Sequence, residues 1–138
     1  MLSEQGLVQE MPLQLSNFEL IPPRAGEIAV SVEFCGVCRT DLHIIEGDLE
    51  TAKLPIVPGH QIVGTLAEIG DDVTGFRIGD RVGVPWMSST CMSCKYCDSS
   101  RENLCHDARF TGLHVDGGYG ERTVVPAQFV YPLPEEIS

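Results

Sequence analysis

The sequence predicts a mainly β domain that carries an irregular, cysteine-rich excursion. Fourteen glycines and nine prolines among 138 residues punctuate the chain too densely for long helices and suit short strands joined by turns. Glu27–Phe34 (EIAVSVEF) alternates apolar and polar residues cleanly, which is the pattern of a half-buried strand. Cys91–Cys105 has no such periodicity, so something other than an apolar core must order it. With 43% hydrophobic residues, the chain has material for one domain with a real core but not comfortably for two.

The elements follow in order. An early strand is expected at Leu13–Leu15 or Phe18–Leu20. In Glu27–Phe34, Ile28, Val30, Val32 and Phe34 fall on one face and Glu27, Ala29, Ser31 and Glu33 on the other. Thr40–Glu46 reads as a two-turn helix, with Thr40 or Asp41 near its start and Gly47 as its stop. Ile62–Ile69 (IVGTLAEI) is a second strand, closed by the turn residues Gly70-Asp71-Asp72. Arg81–Val84 is a third, entered through Gly79-Asp80. Tyr119–Val125 is a fourth, and Phe129–Tyr131 a short fifth that Pro132 stops. No internal repeat, low-complexity run or linker interrupts the chain.

Charge narrows the function classes. Nine basic and 20 acidic residues give a formal charge of −11, which repels phosphate backbones and argues against nucleic acid as a partner. A nucleic-acid-binding zinc ribbon has the wrong charge sign for the same reason. No cluster of Lys or Arg suggests a membrane-surface patch. The opening MLSEQGLVQE has neither a basic n-region nor an apolar h-region. No apolar run approaches the ~18 residues of a membrane span. A soluble, cytoplasmic protein is the expectation. In that compartment clustered cysteines are more often metal ligands or catalytic groups than disulfides.

Four of the six cysteines stand in TCMSCKYCDSSRENLC, as Cys91, Cys94, Cys97 and Cys105. Two consecutive C-x-x-C steps let a loop curl round one ion, and Cys105 closes a tetrahedron. Four thiolates with no histidine suit a structural zinc that has no open position. An iron–sulfur site and a pair of disulfides are the alternatives. His106, beside Cys105, reads as a surface residue, and His114 as a solvated or core-edge histidine.

A second group is thinner. CGVCRTDLH (Cys35–His43) and PGHQIVG (Pro58–Gly64) offer Cys38 and His60. A catalytic zinc takes three protein ligands and one open position, and these supply two. On the residues alone, a small buried thiol and a hydrogen-bonded histidine explain the pair equally well. Cys35 reads as such a thiol at a strand end.

The segments CGVCRTDLH, VPGHQIVGTLAEIG, GFRIGDRVGVPW and CMSCKYCDSSRENLC occur in that order, followed by RFTGLHVDGGYGERTVVP. With these spacings the chain, from about Leu13 through Leu133, resembles the N-terminal catalytic domain of the medium-chain, zinc-dependent alcohol dehydrogenases. That resemblance implies a GroES-like, partly open β-barrel with short helices, spanning 1–138, with a structural zinc lobe at 88–106. It implies that Cys91, Cys94, Cys97 and Cys105 hold the structural zinc. Cys38 and His60 resemble two of three catalytic-zinc ligands. Thr40 resembles the hydroxyl that binds the substrate alcohol, and His43 the group that passes its proton to solvent. Asp41 resembles the carboxylate that orients the ligand histidine. Arg39 resembles a contact to the coenzyme pyrophosphate, and Trp86 a wall of the alcohol pocket. The implied reaction is alcohol to aldehyde or ketone with NAD or NADP.

The sequence departs from that family in two ways. Its usual GHE is GHQ here, so Gln61 removes one negative charge beside the metal site. The family's third catalytic ligand is a cysteine, and no cysteine follows Cys105. Nor does a G-x-G-x-x-G open a βαβ unit; Gly117-Gly118-Tyr119-Gly120 sits in a strand–turn context. The expectation is a catalytic-domain fragment without its Rossmann coenzyme domain, inactive alone. NAD or NADP would then bind only with that missing domain, and the catalytic zinc is the less secure of the two metals. A structural or interaction module that binds zinc and self-associates through exposed apolar surface is the alternative.

Overall fold

The computed structural model describes residues 1–19, 21–49, 53–134 and 136. Its centre is a long antiparallel pair, β1 (Glu27–Cys35) and β2 (Ile62–Ile69), with registers running from Ile28 opposite Ile69 to Cys35 opposite Ile62. The remaining strands are β3 (Arg81–Val84), β4 (Met87–Ser89), β5 (Arg109–Phe110), β6 (Arg122–Pro126) and β7 (Tyr131–Pro132). Five of the seven strands among the described residues form one antiparallel sheet in the order β6-β1-β2-β3-β7, and β4 pairs with β5 separately. The larger sheet does not close, so β6 and β7 are its edges. This is the partly open, mainly β architecture expected.

Two apolar clusters hold it. Ile28, Val30, Ile62, Leu66, Val82, Val84, Val125 and Val130 form the core of the sheet. Leu2, Ile44, Ile45, Ile56 and Leu113 form the other, with Trp86 and Phe110 packed against it. That second cluster anchors α1 (Arg39–Glu46) through Ile44 and Ile45, and so fixes the residues that α1 carries.

Most expected elements are present, with corrections. The β1 alternation fails at Phe34, which is 67% exposed. The pairing register shifts between Val32 and Phe34, and such a bulge re-aims the side chains beyond it. Ala29, assigned to the polar face, is buried. α1 starts at Arg39 with Cys38 as its N-cap, rather than at Thr40 or Asp41. Gly47 ends it as expected, in the left-handed conformation.

The fourth strand starts at Arg122 rather than Tyr119, because the amides before it are used elsewhere. Gly117, Gly118 and Tyr119 donate to the carbonyls of Val57, Gly59 and Pro58. Phe129 lies in a single 3-10 turn, and Pro132 does not stop the last strand but pairs with Val82 on the sheet edge. The early strand is reduced to one bridge between Leu2 and Leu13, and its expected end, Leu20, lies outside the described residues. The short β4–β5 pair was not anticipated. Among the described residues no helix is long and apolar enough to cross a membrane.

Candidate metal centres

The cysteine lobe lies between β4 and β5, which brace its two ends. Inside it the chain makes two single 3-10 turns, Cys97–Ser99 and Glu102–Leu104, which return Cys105 to Cys91. None of the six cysteines is in a disulfide. The sulfurs of Cys91 and Cys97 are 3.9 Å apart, Cys94 and Cys97 3.6 Å, and Cys91 and Cys105 3.6 Å. A zinc ion about 2.3 Å from four sulfurs at tetrahedral corners requires edges of about 3.8 Å. These three separations match such edges, and all four sulfurs lie within 4.8 Å of one another. Each of these separations far exceeds the length of a disulfide bond.

Elsewhere the lobe has little to hold it. Cys97 and Cys105 are its buried apolar residues, while Met92 and Leu104 are about half exposed. Tyr96 is covered by the Lys95 and Arg101 cations and by the edge of His106, which is exposed as expected. The Ser93 backbone, and after it the Cys105 thiol, pull the Cys91 thiol down to about 6, while Cys105, although the Cys91 backbone lowers it, is pushed up to about 11 by burial and the neighbouring thiols.

The second centre is built on two junctions. β1 ends at Cys35 and the chain enters α1 through Cys38; His60 stands just before β2. The pairing of Cys35 with Ile62 brings these junctions together, and Gly36 N–H donates to the Gln61 carbonyl. Cys38 Sγ lies 3.3 Å from His60 Nε2. The two point at one another from elements fixed by separate cores.

Asp41 joins them. It is 1% exposed, and His60 5%. Oδ1 accepts from His60 Nδ1 at 3.0 Å and from Gly59 N at 3.2 Å. Oδ2 accepts from Cys38 N at 3.0 Å. Both carboxylate oxygens thus accept N–H groups, and an Asp41 oxygen lies within 4.8 Å of the Cys38 and His60 ligand atoms. A carboxylate on Nδ1 leaves His60 Nε2 as the free lone pair, directed to the Cys38 side. Cys38 Sγ also accepts the Thr40 N–H at 3.3 Å, so the sulfur itself caps α1. Negative sulfur is favoured at a helix N-terminus.

The other expected site residues fall around this group. Trp86 packs edge-on to the His60 ring, with centroids 4.7 Å apart, and stacks on Phe110 at 4.8 Å. His43 is half exposed on α1, its Nδ1 2.7 Å from Asp48 Oδ2. Thr40 is partly buried, and Arg39 is exposed at the start of α1. Gln61 is exposed, and a Cβ added at Gly36 would fall 2.6 Å from its Oε1. Cys35 is half-buried rather than buried, and burial raises its thiol pKa. His114 is partly buried, as expected for a core-edge histidine, and accepts the Phe110 N–H through Nδ1.

One residue beside this group carries no signal in the sequence. A Cβ at Gly59 would fall 2.6 Å from Tyr119 Cδ1, so the Tyr119 ring lies on the residue that precedes His60. Burial, and next the Asp41 carboxylate, raise its phenol well above the usual range.

The protein-family profile described as the alcohol dehydrogenase GroES-like domain matches residues 24–135. The chain is 46% identical over 132 residues to a Mycobacterium tuberculosis protein named "Probable alcohol dehydrogenase AdhA", covering 92% of this chain and 38% of that protein. It is 44% identical over 128 residues to an alcohol dehydrogenase of Geobacillus stearothermophilus, with the same shares covered. The solved cobalt- and zinc-bound thermostable alcohol dehydrogenase of Pyrobaculum aerophilum superposes with a TM-score of 0.86 at 30% identity, over 94% of this chain and 39% of that one. The chain therefore spans less than two-fifths of the length of these relatives.

Proposed function

The chain belongs to the alcohol dehydrogenase GroES-like domain family, and from that premise we propose that it is the metal- and alcohol-holding part of a zinc-dependent alcohol dehydrogenase. The arrangement of Cys38, His60 and Asp41 carries this reading. A thiol and an imidazole face one another, and a buried carboxylate holds the imidazole in one tautomer. A core histidine would need a hydrogen-bond partner, but not a thiol opposite its other nitrogen.

The residues take the following roles. Cys38 Sγ and His60 Nε2 hold a catalytic zinc, and Cys91, Cys94, Cys97 and Cys105 hold a structural one. Zinc, when bound, supplies a Lewis acid that makes an alcohol easier to deprotonate. Asp41 fixes the His60 ring and caps α1. Thr40, two residues from Cys38, takes the hydrogen bond of the alcohol hydroxyl. His43, half exposed and paired with Asp48, passes that proton to water. Trp86 walls the pocket beside His60. Gln61 leaves the site one negative charge short of the family pattern. Arg39 is the residue offered toward a coenzyme phosphate, and hydride transfer belongs to the NAD or NADP bound by a dinucleotide-binding unit.

Two ligands do not complete a catalytic zinc site, so the 138 residues by themselves are expected to show no alcohol-dependent reduction of NAD or NADP. Robust turnover by the pure chain would overturn that expectation. Zinc content tests the metal assignment directly. About one zinc per chain assigns it to the four-cysteine lobe, whereas about two means that another donor completes the Cys38–His60 site. No zinc in reduced protein purified without chelator would remove both sites. Phe34 and Val37, 67% and 80% exposed at the end of β1, favour a second role as an interaction surface. A clean monomer at high concentration by light scattering counts against self-association there.

A further inference from the structure

The Asp41 carboxylate has about four lone-pair sites, and three are taken by the N–H groups of His60, Gly59 and Cys38. Beside it stands a donor with the opposite deficit. The Tyr119 hydroxyl is buried and has no hydrogen-bond partner among the described residues. A buried hydroxyl left unpaired is costly, so such a group needs a reason.

The backbone sets where this hydroxyl can go. Tyr119 N–H donates to the Pro58 carbonyl at 2.9 Å, and Gly118 N–H to the Gly59 carbonyl at 2.9 Å. These bonds clamp Gly118-Tyr119 onto Pro58-Gly59. The ring then lies on the bare Cα of Gly59, at φ +97, where any side chain would collide with Cδ1 and Cε1. Gly59 is the residue whose amide binds Asp41 and whose neighbour is His60. Cys35 Sγ packs on the same glycine, 2.8 Å from a Cβ built there.

Resting on the metal-site reading above, we propose that Tyr119 is a positioning residue: its buried hydroxyl donates to the open acceptor site of Asp41 and so locks the carboxylate that orients His60. The carboxylate would then be held by four donors from three parts of the chain. Its angle to the imidazole, and hence the direction of Nε2, would no longer depend on α1 alone.

Nitrogen-15 NMR of the histidine side chains in the zinc-loaded chain tests this. Tyr119→Phe keeps the ring on Gly59 and removes the hydroxyl. In that variant the His60 Nδ1–H resonance is expected to shift, and its exchange with water to quicken about tenfold, the factor that goes with one ordinary hydrogen bond. If Tyr119→Phe matches the wild type in both readouts while Tyr119→Leu does not, the ring only packs and the proposal is overturned. Asp41→Ala, which removes the acceptor of His60 Nδ1–H altogether, separates this from the reading beneath it. A His60 signal unchanged in Asp41→Ala means that Asp41 does not orient His60, and the metal-site reading fails first. A changed signal there with an unchanged one in Tyr119→Phe defeats the Tyr119 proposal alone.

Discussion

Replacing Cys97 with serine is expected to release the lobe metal and to unfold residues 91–105 as a unit while the sheet stays folded. The Cys97 sulfur lies 3.9 Å from Cys91 and 3.6 Å from Cys94. Cys97 is also one of two buried cysteines there, so serine loses a thiolate and places a hydroxyl in its pocket. A structural zinc supplies on the order of 10 kcal/mol to such a lobe. Losing one ligand of four should cost more than about 3 kcal/mol of stability. Zinc content and hydrogen exchange check it: the variant should lose about one zinc, and the amides of Asp98, Ser100 and Cys105 should lose protection. Full protection in zinc-free Cys97→Ser protein would mean that the 3-10 turns hold themselves, and the metal is incidental.

The sign of the pH dependence follows from the same thiols. Cys91 is drawn from 9.0 to about 6 while its partner Cys105 is pushed up to about 11, so the two shifts oppose one another and the pair shares one proton between them. Metal binding needs all four sulfurs as thiolates, so protons compete with it. Zinc should therefore leave the lobe on acidification. Retention well below pH 6 in the presence of a chelator would contradict four-thiolate ligation.

These sites were unequally legible in the sequence. Period-two alternation marked β1, and bounding turn residues marked β2 and β3; Ile28, Val30, Ile62, Leu66, Val82 and Val84 from these strands all enter one core. Alternation misplaced Phe34 because a bulge is a backbone event that residue type does not announce. It started β6 early because Tyr119 reads as a strand residue, while its amide is bonded to Pro58. The lobe was readable because ligand spacing is local, with four thiols within one short loop. The Cys38–His60 pair was not readable on spacing, being 22 residues apart. What makes it a site is Asp41, and a buried carboxylate among 20 acidic residues looks like a solvated one until the fold buries it. The sequence put Thr40 or Asp41 near the helix start, as residue types that favour helix N-termini. Cysteine holds the cap position, and the cap and the proposed metal ligand are one sulfur.

Asp41 is accordingly where the next largest loss is expected, and two substitutions resolve its two jobs. Asp41→Ala leaves three donors without their acceptor: Cys38 N–H at the start of α1, Gly59 N–H, and His60 Nδ1–H. Gly59 and His60 are buried, and each orphaned donor costs about 1–3 kcal/mol. A total of about 3–5 kcal/mol is expected, near the upper end for a single substitution. Asp41→Asn retains one oxygen. Placed at Oδ1 it still serves His60 and Gly59, but its amide group then faces the Cys38 N–H, donor to donor. Only the helix cap is lost, at about 1–2 kcal/mol. Urea unfolding monitors the stabilities through a shift of midpoint at constant slope. Equal losses for alanine and asparagine would mean that the negative charge, not the acceptor geometry, is what His60 requires. No loss in either would mean that water reaches these donors, and that the imidazole is not held as the metal site needs.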